Sequence, residues 1–177
     1  MKSKHNKYFF LILFFILNAC SVNYSFTGIS IGPEVKTISI STFFNDTGQG
    51  PPTIAQQFTE QLKEYFQRNS NLSIVDYGGD LQLEGSITGY RASLRGVSAG
   101  TGNNNIDQAA QERLTITVTA TFINTYDESQ NFSNRSFSFY EDYDPNTAPL
   151  NANEQQYVDN IIEQIILDIF NTSVANW

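Results

Sequence analysis

Histidine and cysteine are almost missing from this chain. One of each occurs among 177 residues, His5 and Cys20, and both lie within the first 20 positions. From residue 21 onward there is no imidazole and no thiol. That removes His–Ser and His–Cys nucleophile pairs and the usual zinc, iron and copper ligand sets. Cations are the second shortage, with 10 Lys+Arg against 18 Asp+Glu and a net charge of −8. Three of the lysines, Lys2, Lys4 and Lys7, sit in the first seven residues; the remainder carries 7 cations against 18 anions, a net of −11. Such a chain has no general affinity for nucleic acid or anionic membrane surfaces, because the charge that neutralises phosphate is absent. Carboxylate chemistry is left, but among 18 acids some pair falls at a glycosidase separation by chance. Nothing in the sequence marks one acid as special, and the reading is a non-enzyme.

What is present begins with a leader. Tyr8–Leu17 is wholly apolar or aromatic and follows the three lysines. Ten residues match the core of a secretory signal and fall short of the roughly 20 a membrane-spanning helix needs. Leu17-Asn18-Ala19-Cys20 then resembles the lipobox of bacterial lipoproteins, with Asn18 where Ala, Ser, Val or Thr is usual. This resemblance implies cleavage after Ala19 and a diacylglyceryl group plus an N-acyl chain on Cys20, with no other cofactor. Burying acyl chains gains about 0.8 kcal/mol per CH2, and two or more chains anchor stably where one does not. The alternative is an ordinary signal peptide that leaves Cys20 a lone thiol in an oxidising compartment. Ser21-Val22-Asn23 carries neither an inner-membrane Asp nor an acidic surface-export run, so the expected address is the periplasmic leaflet of the outer membrane. Residues 1–19 thus read as signal peptide, 20–33 as lipidated tether and 34–177 as one domain.

Periodicity supplies the domain's elements. Val35–Phe44 alternates, with Ile38 and Ile40 on one face and Thr37, Ser39 and Ser41 on the other, as a half-buried strand does. Thr53 and Gln56 have the form of a capping box. Ile54, Phe58, Leu62 and Phe66 then trace one apolar helical stripe, stopped by Asn69-Ser70-Asn71. Leu72–Val75 is a short strand, which makes the first segment a βαβ crossover with parallel strands. Leu81–Val97 is a long strand whose Gly85 and Gly89 point to a bulge or bend. Ser98–Asn105 reads as a flexible linker; its Gly-Thr-Gly lacks the lysine and helix of a phosphate loop. Arg113–Tyr126 places Leu114, Ile116, Val118, Ala120 and Phe122 inward and four threonines outward. Asn131–Tyr143 returns as its hairpin partner. The last helix, Asn153–Ser173, carries a wide stripe through Val158, Ile161, Ile162, Ile165, Ile169 and Phe170. The fold class is therefore α+β: an α/β sandwich in the order β-α-β-β-β-β-α, with two helices on one face of a four- to five-stranded mixed sheet and the other face free for a ligand or partner.

Two further constellations have plain structural readings. Glu141, Asp142, Asp144 and Asn146 look like the start of a calcium loop, but Thr147 replaces the turn glycine and Asn153 stands where a bidentate Glu belongs. A solvated acidic turn is the expectation, with no metal. Phe137, Phe139, Tyr140 and Tyr143 suggest an aromatic platform for a sugar or acyl chain, and at strand spacing they also suit core and cross-strand packing.

Taken together, the lipobox and the stretches YSFTGISI, VKTISISTF, LQLEGSITGY, LTITVTATFINTYDESQNF and IFNTSVANW resemble the LptE family of lipopolysaccharide-assembly lipoproteins. The resemblance implies an outer-membrane, lipid-anchored plug seated in the LptD β-barrel, where it helps the barrel assemble and helps deliver lipopolysaccharide. It also implies two helices on a small mixed sheet. Better-known members contact lipopolysaccharide through basic residues, whereas this chain is acidic. Its nearest equivalents are Arg91 and Arg95, four apart on a strand and hence on one face. Arginine's planar fork suits phosphate or carboxylate; the plainer role is a solubilising edge or an ion pair with a neighbouring acid. A stand-alone periplasmic scaffold or binding lipoprotein, for peptidoglycan or another envelope complex, is the rival reading.

Overall fold

The computed structural model describes residues 31–95 and 111–175. The leader, Cys20, most of the tether and the 98–105 linker lie outside them. Within the described residues six strands form one sheet: β1 (Thr37–Ile40), β2 (Phe44–Asn45), β3 (Ser73–Val75), β4 (Leu81–Leu94), β5 (Glu112–Asn124) and β6 (Phe132–Tyr143). Helix α1 (Ile54–Asn69) follows β2, and helix α2 (Leu150–Ser173) closes the chain. The sheet order is β3-β1-β4-β5-β6, with β2 also paired to β4. β1 runs parallel to both β3 and β4, whereas β4, β5 and β6 are antiparallel neighbours. This is the expected α+β sandwich with one strand more than expected.

The extra strand comes from a break in the first one. Val35–Phe44 was expected to be continuous, but the ladder stops at Ser41 and resumes at Phe44. Phe43 turns into the helix layer instead. Its N–H donates to the Thr59 hydroxyl at 3.0 Å and its ring lies 4.9 Å from that of Phe58. Gly85 makes room for this ring: a Cβ there would come within 2.6 Å of it and 2.2 Å of the Thr119 carbonyl oxygen. The bulge falls at the second glycine, between Ile87 and Gly89. Ser39, expected on the solvent side, is buried because the Gly78-Gly79 turn crosses over it and the Gly79 N–H donates to its hydroxyl.

Both helices bury the stripes read from their spacing. Ile54, Phe58, Leu62 and Phe66 of α1 are fully buried, and so are Val158, Ile161, Ile162, Ile165 and Ile169 of α2. Tyr157 and Ile166 widen the α2 stripe, because that helix touches α1 as well as the sheet. The seam between the helices is aromatic, with Tyr65 and Phe66 edge-on to Phe170 at 5.1 and 5.0 Å. Two helix starts depart from expectation. Thr53 makes no capping bond, and Gln56 donates to Glu60 Oε1 instead of reaching back. The last helix begins at Leu150, where Pro149, with its φ fixed at −64°, serves as the N-cap.

Asp80 ties the parallel edge together. Its Oδ2 accepts from the Lys36 and Thr37 amides and the Thr37 hydroxyl, each at 2.9 Å. These bonds, the Lys36 amide foremost, hold the carboxyl below the ordinary aspartate value of 3.8. A carboxylate acidified by folding stabilises the fold above its unfolded pKa and loses that contribution as pH falls through the folded one. Asp80→Asn is therefore expected to lower the melting temperature at about pH 6 and to converge on the wild type at about pH 2, read by thermal melts across that range. Phe58→Ala, which empties the space beside Phe43, is expected to cost about 3–5 kcal/mol in denaturant unfolding.

Candidate functional site: the open face of the sheet

Since both helices cover one face, the opposite face of β4, β5 and β6 has no layer over it among the described residues. Its chemistry follows from strand parity. On β5 the inward residues Leu114, Ile116, Val118, Ala120 and Phe122 are buried, which turns Arg113, Thr115, Thr117, Thr119 and Thr121 outward. Their cross-strand neighbours include Ser86 on β4 and Ser136, Ser138 and Tyr140 on β6. The hydroxyls bond one another: Thr88 with Thr119 and Thr117 with Ser138, each at 3.0 Å. A trough of about 540 Å³ runs past Phe44, Ser86, Thr88, Thr119, Thr121 and Asn134. The result is a hydroxyl-rich surface that carries two carboxylates, Asp46 and Glu84, along the trough.

Positive charge gathers at one end of it. Asp142 receives Arg113 in a bidentate pair, Nε to Oδ1 at 2.6 Å and Nη2 to Oδ2 at 2.9 Å, while Arg95 Nη1 reaches Oδ2 at 2.8 Å. The Arg113 guanidinium also lies 3.5 Å from the centre of the Tyr140 ring, a cation–π stack. Hydrogen bonding from Arg113, foremost, with the added charge of Arg95, holds the Asp142 carboxyl below its usual range. Three cations of an acidic chain, Arg91, Arg95 and Arg113, thus share one end of one face with a single resident anion.

The expected pair divides. Arg91 and Arg95 do lie on the same face, but Arg95 is occupied by Asp142, whereas Arg91 has no ion-pair partner among the described residues. Arg91 instead borders a separate recess of about 370 Å³ with Thr47, Gln49 and Thr88. Arg113 was not singled out from sequence. The signal was there, since it opens the series Arg113-Thr115-Thr117-Thr119-Thr121 at strand parity.

The other constellations come apart. Asp142 is taken up by arginine, and Asp144 Oδ1 accepts from the Asn146 amide at 2.8 Å in its own turn. No group of three or more His, Cys, Asp or Glu suited to a metal ion forms among the described residues. The four aromatics do not share a platform: Phe137 and Tyr143 are buried on the helix side, while Tyr140, on the open face over Arg113, stacks only with Phe139, at 5.8 Å.

The sequence model of the family described as LptE, lipopolysaccharide-assembly, matches residues 35–173, which span the whole sandwich. The chain belongs to the LptE family. Among solved structures, this LptE-family chain is similar to the rare lipoprotein B of Shewanella oneidensis, with 21% identity over 77% of this chain and 90% of that one and a TM-score of 0.44. It is also similar to a minor lipoprotein of Acinetobacter baumannii, with 15% identity, coverages of 79% and 94% and a TM-score of 0.44. A third is lipoprotein B of Nitrosomonas europaea, with 10% identity, coverages of 76% and 79% and a TM-score of 0.46. No curated protein sequence matches. Membership rests on the family match, and the two-helix, mixed-sheet architecture agrees with what the resemblance implied.

The Asp142 network makes a separable prediction. Arg113→Ala is expected to return the Asp142 carboxyl most of the way toward 3.8, and Arg95→Ala to move it less, as followed by carboxyl carbon NMR titration.

Proposed function

We propose that this protein is a non-enzymatic outer-membrane lipoprotein of lipopolysaccharide export, the plug and assembly partner of an LptD-like β-barrel. The family match across residues 35–173 carries this reading. Acyl chains on Cys20 hold the domain at the periplasmic side of the membrane. The sandwich supplies a stiff body, because both helices and the sheet share one close-packed core. The hydroxyl-rich face suits a polar barrel lumen, whose inward side chains are themselves hydrophilic. Lipopolysaccharide contact falls to the arginine end of that face, where guanidinium forks can meet phosphate. Arg91 leads there, since Asp142 already satisfies Arg95 and Arg113.

The decisive experiment is a mild-detergent pull-down of the full chain from its native host. An LptD-like barrel recovered in one-to-one amount supports the reading; recovery without any barrel overturns it and leaves the stand-alone scaffold. In the same preparation, Arg91→Ala is expected to reduce lipopolysaccharide co-purification more than Arg95→Ala does. Unchanged lipopolysaccharide in the double variant removes the arginine contact while leaving the plug intact.

A further inference from the structure

Three recesses on the described surface differ in charge. Those beside Arg91 on β4 and Arg135 on β6 each hold a cation. The trough of about 540 Å³ on the open face holds none, and Asp46 and Glu84 lie along it. Neither carboxylate is in an ion pair among the described residues. One wall carries Phe44, which strand alternation turns outward beside Ser86 while Phe43 enters the core. Its ring is 67% exposed, so the concavity offers apolar surface next to its acids and hydroxyls. Across β4 the other wall is made by Thr121 and Asn134. Asn134 adopts φ 50° and its amide donates to the Thr121 hydroxyl at 3.1 Å. The register between β5 and β6 slips at the same place, which bends the start of β6 out of the regular ladder at the rim. Between the walls, Thr88 and Thr119 share a hydrogen bond of 3.0 Å, and each hydroxyl keeps further bonding capacity.

We propose that this trough binds an uncharged glycan segment of hexose or N-acetylhexosamine chemistry. An ionised carboxylate only accepts hydrogen bonds, through two oxygens, and adjacent hydroxyls of a pyranose ring present two donors to it. The Asn134 carboxamide and the Ser and Thr hydroxyls both donate and accept, so they can follow the mixed donor and acceptor pattern of a sugar. The C–H face of a pyranose carries weak positive charge and meets the negative face of an aromatic ring, the part Phe44 supplies. Two carboxylates with no cation beside them repel phosphate and uronate, so the charged groups of a glycoconjugate belong elsewhere on the sheet. A basic peptide answers to the two acids alone and leaves the hydroxyl floor unused. The volume falls within the roughly 300–1,000 Å³ of small-ligand sites. The same sugar chemistry occurs in an envelope glycolipid and in cell-wall glycan. The trough lies within one copy of the chain, so it is compatible with a lone plug in a barrel. Its failure leaves the proposed function standing, and a failed barrel pull-down leaves the trough untouched.

Amide NMR of the full-length chain, in a mild detergent without a sugar head group, tests the proposal. The chain is titrated separately with the trisaccharide of N-acetylglucosamine and with dephosphorylated core oligosaccharide released from the lipopolysaccharide of the native host. Saturable shifts at Glu84, Ser86, Thr119, Thr121 and Asn134 are expected with at least one of them, and the sugar that gives them identifies the source. Phe44→Ala and Glu84→Ala, both at exposed positions, are each expected to weaken binding about tenfold. Unperturbed amide signals from the helices show that each variant is folded. No shift at these five amides with either sugar at about 10 mM, or shifts that survive both substitutions undiminished, would overturn the proposal. So would shifts given only by calcium ion, inorganic phosphate or a trilysine peptide, with neither sugar active.

Discussion

The fold depends on the two-sidedness of β5. It is the one long strand paired along its length on both sides, and its side chains divide without exception between Leu114 and Phe122: apolar toward the helices, threonine away from them. A slip of one residue would carry every threonine into the core and every branched aliphatic into water. The register of β4 and β6 is thereby fixed on both flanks, and the helices have one surface to pack on. The open face is the other half of the same arrangement.

That arrangement explains how much could be read directly from the residues. Helical stripes and strand alternation are strong repeated signals, and α1, α2, β4, β5 and β6 follow them. Departures occur where a single side chain outweighs a local pattern. Phe43 leaves its strand because a ring-sized space over Gly85 and the Thr59 hydroxyl accept it, and neither is visible within the window that reads as a strand. Asn124 has a similar role in the β5–β6 turn: although buried, its side chain accepts from the Tyr126 and Asp127 amides and donates to Gln130. The capping box at Thr53 looked sound by spacing but fails because Thr53 adopts a helical backbone, not the extended one a capping residue needs.

The site was legible in part for the same reason. Parity puts Arg91 and Arg95 on one face, but parity on a single strand says nothing about the neighbouring strands. Asp142 arrives from β6 and Arg113 from β5, and only the pairing of three strands makes them one cluster. Its pairs are partly exposed, so their worth lies less in stability, where such bridges contribute about 0–1 kcal/mol, than in orientation. A bidentate guanidinium stacked on a ring has few ways to point. In an acidic protein, that fixes a small electropositive patch whose reach is limited by screening to about 8–10 Å at moderate salt.

The main chain at the far end of β4 carries a last implication. The Arg95 N–H donates to the Gln111 carbonyl at 2.8 Å, so the two ends of the intervening segment are fastened together by the sheet itself. Closing a loop between fixed ends costs only about 0.6 kcal/mol more for each doubling of its length. The chain joining these positions therefore leaves and rejoins the sheet at one place on its margin, so a change in its length alters the closure entropy by only about that amount.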